Sequence, residues 1–223
     1  MSDHWQLGIE SSVPQASIAL LRGGEVVAER QIQAQQNHSA VLIEPLAEVL
    51  EALPEGPKLA EVVVATGPGS YNGARVGIAV GQGIALIYGC PTGGIPSLEA
   101  IGEVQAGGPC LAIGDARRGT FFTIGLSGGR IQGEPELTDA HEEFVRRVEQ
   151  AVADGAFVFS LEEIGRLRLP EELAEKVVLA TPEARLAVAV WEGCEESARE
   201  KLRNLPPQPY YLRPPNITQA KKR

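Results

Sequence analysis

Thr66-Gly67-Pro68-Gly69-Ser70-Tyr71-Asn72-Gly73-Ala74-Arg75-Val76-Gly77 joins the apolar run Val62-Val63-Val64-Ala65 to a long apolar stretch that ends near Tyr88. The order predicts a strand, a glycine-rich turn and a helix start. The first N–H groups of a helix have no intrahelical partner, and glycine lets another group approach the backbone closely. Such a turn has the form of a phosphate cradle, with Gly67, Gly69 and Ser70 as its candidate residues.

The predicted helix carries Gly73, Gly77 and Gly81 at every fourth position. Each costs about 1 kcal/mol against alanine inside a helix, so the row requires close packing or function. Val76, Ile78, Ala79, Val80, Ile84, Ala85, Leu86 and Ile87 make the rest apolar nearly all round, as in a helix covered on more than one face. Two accounts fit. The helix is buried among elements of its own domain, or one face lies on the sheet and another on a partner subunit. The preceding helix, about Ser39 to Leu53 with Ser39 as its cap, has Leu42, Leu46, Val49 and Leu53 in one stripe. It offers Val41 and Pro45 on a separate flank, so the two helices together form a candidate dimer or heterodimer patch.

Outward from this unit, Trp5–Glu10, Ala16–Leu21 and Val26–Gln31 read as strands, with a hairpin turn at Arg22-Gly23-Gly24-Glu25. Val62–Ala65 is the fourth, a short strand or loop follows at Cys90–Gly94, and Ser97 caps a helix to about Gln105. That order predicts a mixed sheet with helices on its faces. After Gly107-Gly108-Pro109 the pattern restarts. Strands at Cys110–Gly114 and Thr120–Leu126 flank the turn Asp115-Ala116-Arg117-Arg118-Gly119. A helix at His141–Val152, buried strands at Phe157–Ser160 and Val177–Ala180, and a helix from Thr181 or Pro182 to Cys194 complete it. The second half reads as a shortened, eroded version of the first. The expected division is 1–107, 108–213 and a flexible basic tail, 214–223.

The 223 residues are 43% hydrophobic, enough for a core. A net charge of −9 argues against strong free binding to nucleic acid, though not against a complex in which another subunit holds RNA. Cys90, Cys110 and Cys194 are dispersed without a CxxC, which fits a reducing cytosol and neither a thiolate zinc site nor a disulfide framework. No signal peptide is expected. No apolar run reaches the roughly 20 residues of a membrane span.

Candidate chemistry is sparse. Glu10 follows the first strand, where actin-like ATPases and sugar kinases hold an Asp near the phosphates and metal; here it reads as a polar strand-end residue. His4, His38 and His141 form no HxxxH or HExxH pair, so no metal site is expected. Ser70 lies in no nucleophile elbow. Asp115 and Arg117 read as a salt bridge tying the two halves, or as a substrate contact. An ATP-dependent phosphotransferase is the alternative that the glycine turn supports, and a metallopeptidase has only superfamily analogy behind it.

Gly67 to Gly77, Asp115-Ala116-Arg117-Arg118-Gly119, Tyr211-Leu212-Arg213 and Asn37-His38-Ser39 together resemble the TsaB family, a subunit of the bacterial machinery that makes threonylcarbamoyladenosine in tRNA. Tyr71 and Asn72 stand where the family usually has Phe and Thr, and Pro45 falls one position later than in the family. The resemblance implies two actin-like ATPase (ribonuclease H-like) sub-domains, with no catalytic residue and no metal of their own. It implies that the first two long helices pair with TsaD, which carries the metal and the transferase site, and that the ATPase TsaE joins a larger assembly. The interface residues would be Leu42, Pro45, Gly73, Gly77, Val80, Gly81 and Ile84. Gly67, Gly69 and Ser70 would be a vestigial phosphate-type loop, with no nucleotide bound independently and ATP only in the assembled complex. The same surface would form a homodimer when TsaD is absent, and tRNA would be reached only through the complex, in the cytoplasm.

Overall fold

The computed structural model describes residues 4–33, 38–56 and 58–212, with side chains in the first helix described from Leu42. The expected Ser39 cap, the Val41 flank, Arg213 and the basic tail lie outside the described side chains or residues. The first sheet holds β1 (Trp5–Glu10), β2 (Gln15–Arg22), β3 (Glu25–Gln33), β4 (Leu59–Ala65) and β5 (Thr92–Ile95), in the order β3-β2-β1-β4-β5. β1, β2 and β3 form an antiparallel meander, while β4 and β5 run parallel to β1. The second sheet holds β6 (Cys110–Asp115), β7 (Phe121–Ser127), β8 (Arg130–Thr138), β9 (Phe157–Ser160) and β10 (Val178–Leu179). Its order, β8-β7-β6-β9-β10, repeats the first. The helices are α1 (His38–Leu50), α2 (Tyr71–Tyr88), α3 (Gly102–Gln105), α4 (His141–Ala153), α5 (Glu171–Ala174), α6 (Ala184–Glu192) and α7 (Glu196–Arg203).

Successive side chains of a strand point to opposite faces, and both faces of the first sheet are covered. Leu7, Ile9, Val62 and Val64 pack against Leu42, Leu46 and Val49 of α1 and Ile78 and Ala85 of α2. Ala19, Leu21, Val63 and Ala65 face Ala184, Ala187, Val188 and Trp191 of α6. The segment 184–203, placed by sequence with the second half, therefore returns to the first sheet. Gly8 permits this, since a Cβ there would run into the Ala184 carbonyl; likewise a Cβ on Gly93 would stand 2.7 Å from the Trp191 ring. In the second sheet Ile113, Phe121 and Val158 meet Phe144 and Val148 of α4, and the opposite face meets Leu98, Ile101 and Val104.

Four local expectations change. β8 was not anticipated, because it is a largely exposed edge strand in which Gly133 and Pro135 are tolerated. β10 is an exposed two-residue edge rather than a buried strand. The helix expected from Ser97 is a 3-10 turn, Ser97–Glu99, separated from α3 by Ala100 and Ile101. α7 buries no residue and is strongly polar, so little in its sequence marks it as a helix packed on a core.

The two sheets are joined through Arg130. Its guanidinium donates to Glu99 Oε2 at 2.7 Å and to the Val190 carbonyl at 2.9 Å, while Glu99 Oε1 accepts from the Ile131 amide at 3.1 Å. Asp115 and Arg117, expected to form this tie, instead pair within their own turn at 3.6 Å, because the turn folds back on itself. Among the described residues no helix is long and apolar enough to cross a membrane.

Candidate functional site: the glycine turn and the outer face of its helix

The turn after β4 is filled by its own chain. Ser12, at the end of β1, accepts the Ser70 amide on its carbonyl at 2.6 Å. The Ser97 hydroxyl accepts the Gly67 amide at 2.9 Å and shares a 2.9 Å hydrogen bond with the Ser12 hydroxyl. Ser70 caps α2 by accepting the Gly73 amide at 3.2 Å. A Cβ on Gly69 would collide with the Ser12 carbonyl. Amides at Gly67, Ser70 and Gly73 are thus already partnered within the chain. The sequence marks Ser97 only as a helix cap; its meeting with Ser12 at the turn has no local signal, since the two serines are 85 residues apart. Glu10 is fully buried beneath the turn, its Oε1 accepting the Ser12 amide. Burial pushes its carboxyl up, against hydrogen bonding from Ser97 and Ser12 that favours the ionised form.

The glycine row faces inward. A Cβ on Gly73 would meet the Ser11 carbonyl, one on Gly77 the Ser11 hydroxyl and one on Gly81 the Val64 side chain. Gly73, Gly77 and Gly81 are buried, as is Leu42, so the expectation that these four contact a partner is corrected. The glycines instead let α2 sit close on β1 and β4, where no side chain would fit. Val80 and Ile84 are half-buried at the edge of the same core, and Pro45 of α1 is half-buried.

The opposite face of α2 is open. Leu86 is 84% and Ile87 76% exposed, and Ile43 of α1, on the same side of the sheet, is 57% exposed. Leu86 lies nine residues beyond Gly77, half a turn round the helix from it at 100° per residue. That spacing was the signal that could have separated the buried face from the free one.

At the N-terminal end of α2 the chain returns. The Tyr210 amide donates to the Thr66 carbonyl at 2.8 Å, and Tyr71 and Tyr211 stack with ring centroids 5.6 Å apart. Arg75 lies 4.9 Å from the Tyr71 ring and donates to its hydroxyl at 2.7 Å. A cleft of about 180 Å³ between Thr66, Ser70, Tyr71, Ala116 and Tyr211 opens here. A second cleft, about 430 Å³, is lined by Glu99, Ile131, Glu134, Tyr210 and Tyr211. Burial, with Glu134 and Glu99 adding to it, pushes the Tyr210 phenol up. His4 pairs with Glu192 and His141 with the Leu167 carbonyl, on different sheets. Among the described residues no three His, Cys, Asp or Glu side chains cluster as a metal site.

A family model described as TsaD: tRNA N6-adenosine threonylcarbamoyltransferase matches residues 25–190, more than half of the chain. The tRNA threonylcarbamoyladenosine biosynthesis protein TsaB of Bacillus subtilis (strain 168) is 34% identical over 120 residues, 52% of this chain and 52% of that protein. An uncharacterized protein of Mycobacterium tuberculosis is 32% identical over 115 residues, 50% of this chain and 54% of that one. The chain therefore spans about half the length of the curated relatives it matches. Among solved structures, an uncharacterized Pseudomonas aeruginosa protein with similarity to peptidase YEAZ has a TM-score of 0.69 at 20% identity, covering 94% of this chain and 100% of that one. YeaZ from Pseudomonas aeruginosa has a TM-score of 0.64 at 20% identity, covering 93% and 99%. At that identity the likeness is one of fold, and it is the paired α/β architecture that the sequence predicts.

Proposed function

Since this chain belongs to the family whose model is described as TsaD, tRNA N6-adenosine threonylcarbamoyltransferase, and is similar to TsaB, we propose that it is a non-catalytic subunit in the making of threonylcarbamoyladenosine in tRNA. It acts by pairing with TsaD through the outer face of α1 and α2, with TsaE joining a larger assembly. The observation that carries this is the exposure of Leu86 and Ile87, at 84% and 76%, on a helix whose opposite face is closed onto its own sheet. Large aliphatic side chains left that open on two adjoining helices suit a partner surface. The same face serves a homodimer when TsaD is absent.

The glycine turn supports the non-catalytic reading, because Ser12 and Ser97 occupy amides that a phosphate would need. ATP is then held only in the assembled complex, and calorimetry of the isolated chain with Mg-ATP should give no micromolar binding. Micromolar binding with turnover would favour the phosphotransferase instead.

The direct test is size-exclusion chromatography of Leu86→Asp and Ile87→Asp with TsaD. Each should weaken the complex at least about ten-fold, as expected for apolar anchors of an interface, with the monomer's unfolding curve unchanged. Full complex formation by both variants would overturn the pairing surface.

A further inference from the structure

The structure carries a second exposed feature that pairing through Leu86 and Ile87 does not use. Tyr71 and Tyr211 are 53% and 41% exposed, yet stack on each other at the mouth of the smaller cleft, with Arg75 against the Tyr71 ring. Ala116 lines the same cleft and leads directly into exposed Arg117 and Arg118. Both arginines have positive φ, 70° and 60°. Side chains beyond glycine, asparagine and aspartate rarely adopt that region, and two in succession are a strained way to build a hairpin turn. The turn is held by the Arg117 amide donating to Asp115 Oδ1 at 2.6 Å and the Ala116 amide donating to the Thr120 carbonyl at 2.8 Å.

In a chain of net charge −9, Arg75 thus lies on one of two open aromatic rings, and Arg117 and Arg118 follow directly on a residue that lines the cleft beside them. Among the described residues Arg117 makes a 3.6 Å contact with Asp115, and its side chain is 63% exposed. The charge is also segregated. Beyond Tyr211 the larger cleft presents exposed Glu134, which repels an anion and leaves the arginine side as its approach, while Glu99 there is paired with Arg130.

We propose that this surface is a contact for single-stranded RNA, one base stacking on the Tyr71–Tyr211 pair and the flanking phosphates lying against Arg75, Arg117 and Arg118. Stacking platforms with interleaved arginine suit unpaired nucleotides because every base has a π-face. A cleft of about 180 Å³ is smaller than the roughly 300–1,000 Å³ of an enclosed small-molecule site, so it admits a ring and not a whole nucleotide. The net charge keeps the isolated chain's affinity weak, in the range of about 10⁻⁴–10⁻⁶ M that electrostatic contacts sustain. The contact gains its weight inside the assembly. The proposal deepens the tRNA-modification reading, but its first assay stands apart from it.

The test uses fluorescence anisotropy with the full chain and a fluorescein-labelled, unstructured RNA oligonucleotide at low salt. Tyr71→Ala and Tyr211→Ala should each weaken binding about ten-fold. Arg117→Glu should weaken it and make the salt dependence shallower by about 0.7 in log–log slope, the single-strand value per phosphate. Tyr71→Phe should retain most of the binding. Unchanged binding in both alanine variants, or equal competition by duplex RNA and by heparin, would overturn the stacking contact. The same variants are run with TsaD on size exclusion. Loss of assembly with RNA binding intact would mark the tyrosines as a protein anchor and also overturn the proposal. Lost RNA binding with assembly intact supports it, and a failure of wild-type assembly bears only on the proposed function.

Discussion

Gly73 turns its open Cα to the carbonyl of Ser11, so that a Cβ on the glycine would stand well inside contact distance of that oxygen. The obstacle is backbone at the end of a fully buried central strand and cannot swing aside. The start of α2 is set against β1 by this contact, and with it the position of the glycine turn.

Gly73→Ala should therefore destabilise the fold by about 1–3 kcal/mol, as over-packing does. Gly83→Ala should do the opposite. Gly83 lies in the same helix with nothing within 4 Å of a new Cβ, so the substitution gains up to about 1 kcal/mol of helix propensity. Urea unfolding of the two variants checks the sign difference, and equal effects would contradict the packing assigned to α2.

Glu61 on β4 is buried, and Arg203 of α7 donates to its Oε1 from Nε at 2.6 Å, with Trp191 Nε1 donating to Oε2. Arg203→Ala leaves that carboxylate short of its countercharge. The expected cost is about 2–3 kcal/mol, below the roughly 3–5 of a fully buried pair, because Arg203 is 27% exposed and Trp191 still donates. Adding Glu61→Gln should recover much of the loss. A double variant no more stable than Arg203→Ala alone would show that α7 packing, not charge, was lost.

Glu10 gives a pH dependence. Burial raises its carboxyl above the ordinary 4.5, so the folded chain holds this proton more tightly than the unfolded chain. The stability it contributes is fully present below the unfolded value and is lost as pH rises through the raised folded value. Glu10→Gln keeps the oxygen that accepts the Ser12 amide but cannot ionise. Its urea midpoint should gain on that of the unmodified chain as pH rises above the ordinary carboxyl value of 4.5. Curves that stay parallel as pH rises would contradict a raised Glu10 carboxyl.

Arg130 joins the sheets, and Arg130→Met should loosen them without unfolding either core. Its donations to Glu99, the Val190 carbonyl and Cys194 Sγ are lost. The expected change is about 1–3 kcal/mol, the scale of hydrogen bonds to charged groups, and faster hydrogen exchange at Ile131, whose amide bonds to Glu99. Unchanged exchange there would mean that Glu99 is held by its own turn alone.

Much of the fold was legible in the chain because local pattern carries it. Alternation and β-branched runs marked β1, β2, β4, β6, β7 and β9 within a residue or a few. β8 and α7 were not legible. One is a solvated edge with Gly133 and Pro135, the other a short, strongly polar helix with no buried residue, so neither offers a run of apolar residues to mark it. The glycine turn and both long helices were found, but the facing of α2 was misread. A row of glycines signals close approach without saying to what.

The sequence alone determined most of the elements and their order, the restart of the pattern in a second half and the glycine turn between β4 and α2, since each follows from neighbours along the chain. Tertiary structure alone decided the rest. It turned Gly73, Gly77 and Gly81 onto Ser11 and Val64, left Leu86 and Ile87 open, and brought Ser97 and Tyr211 to the turn. Those contacts join residues distant in sequence, and their energies depend on which surfaces meet. Thr66–Gly77 thus encodes a turn at which backbones approach closely, and the packing of Ser12 and Ser97 decides that the turn is filled from within.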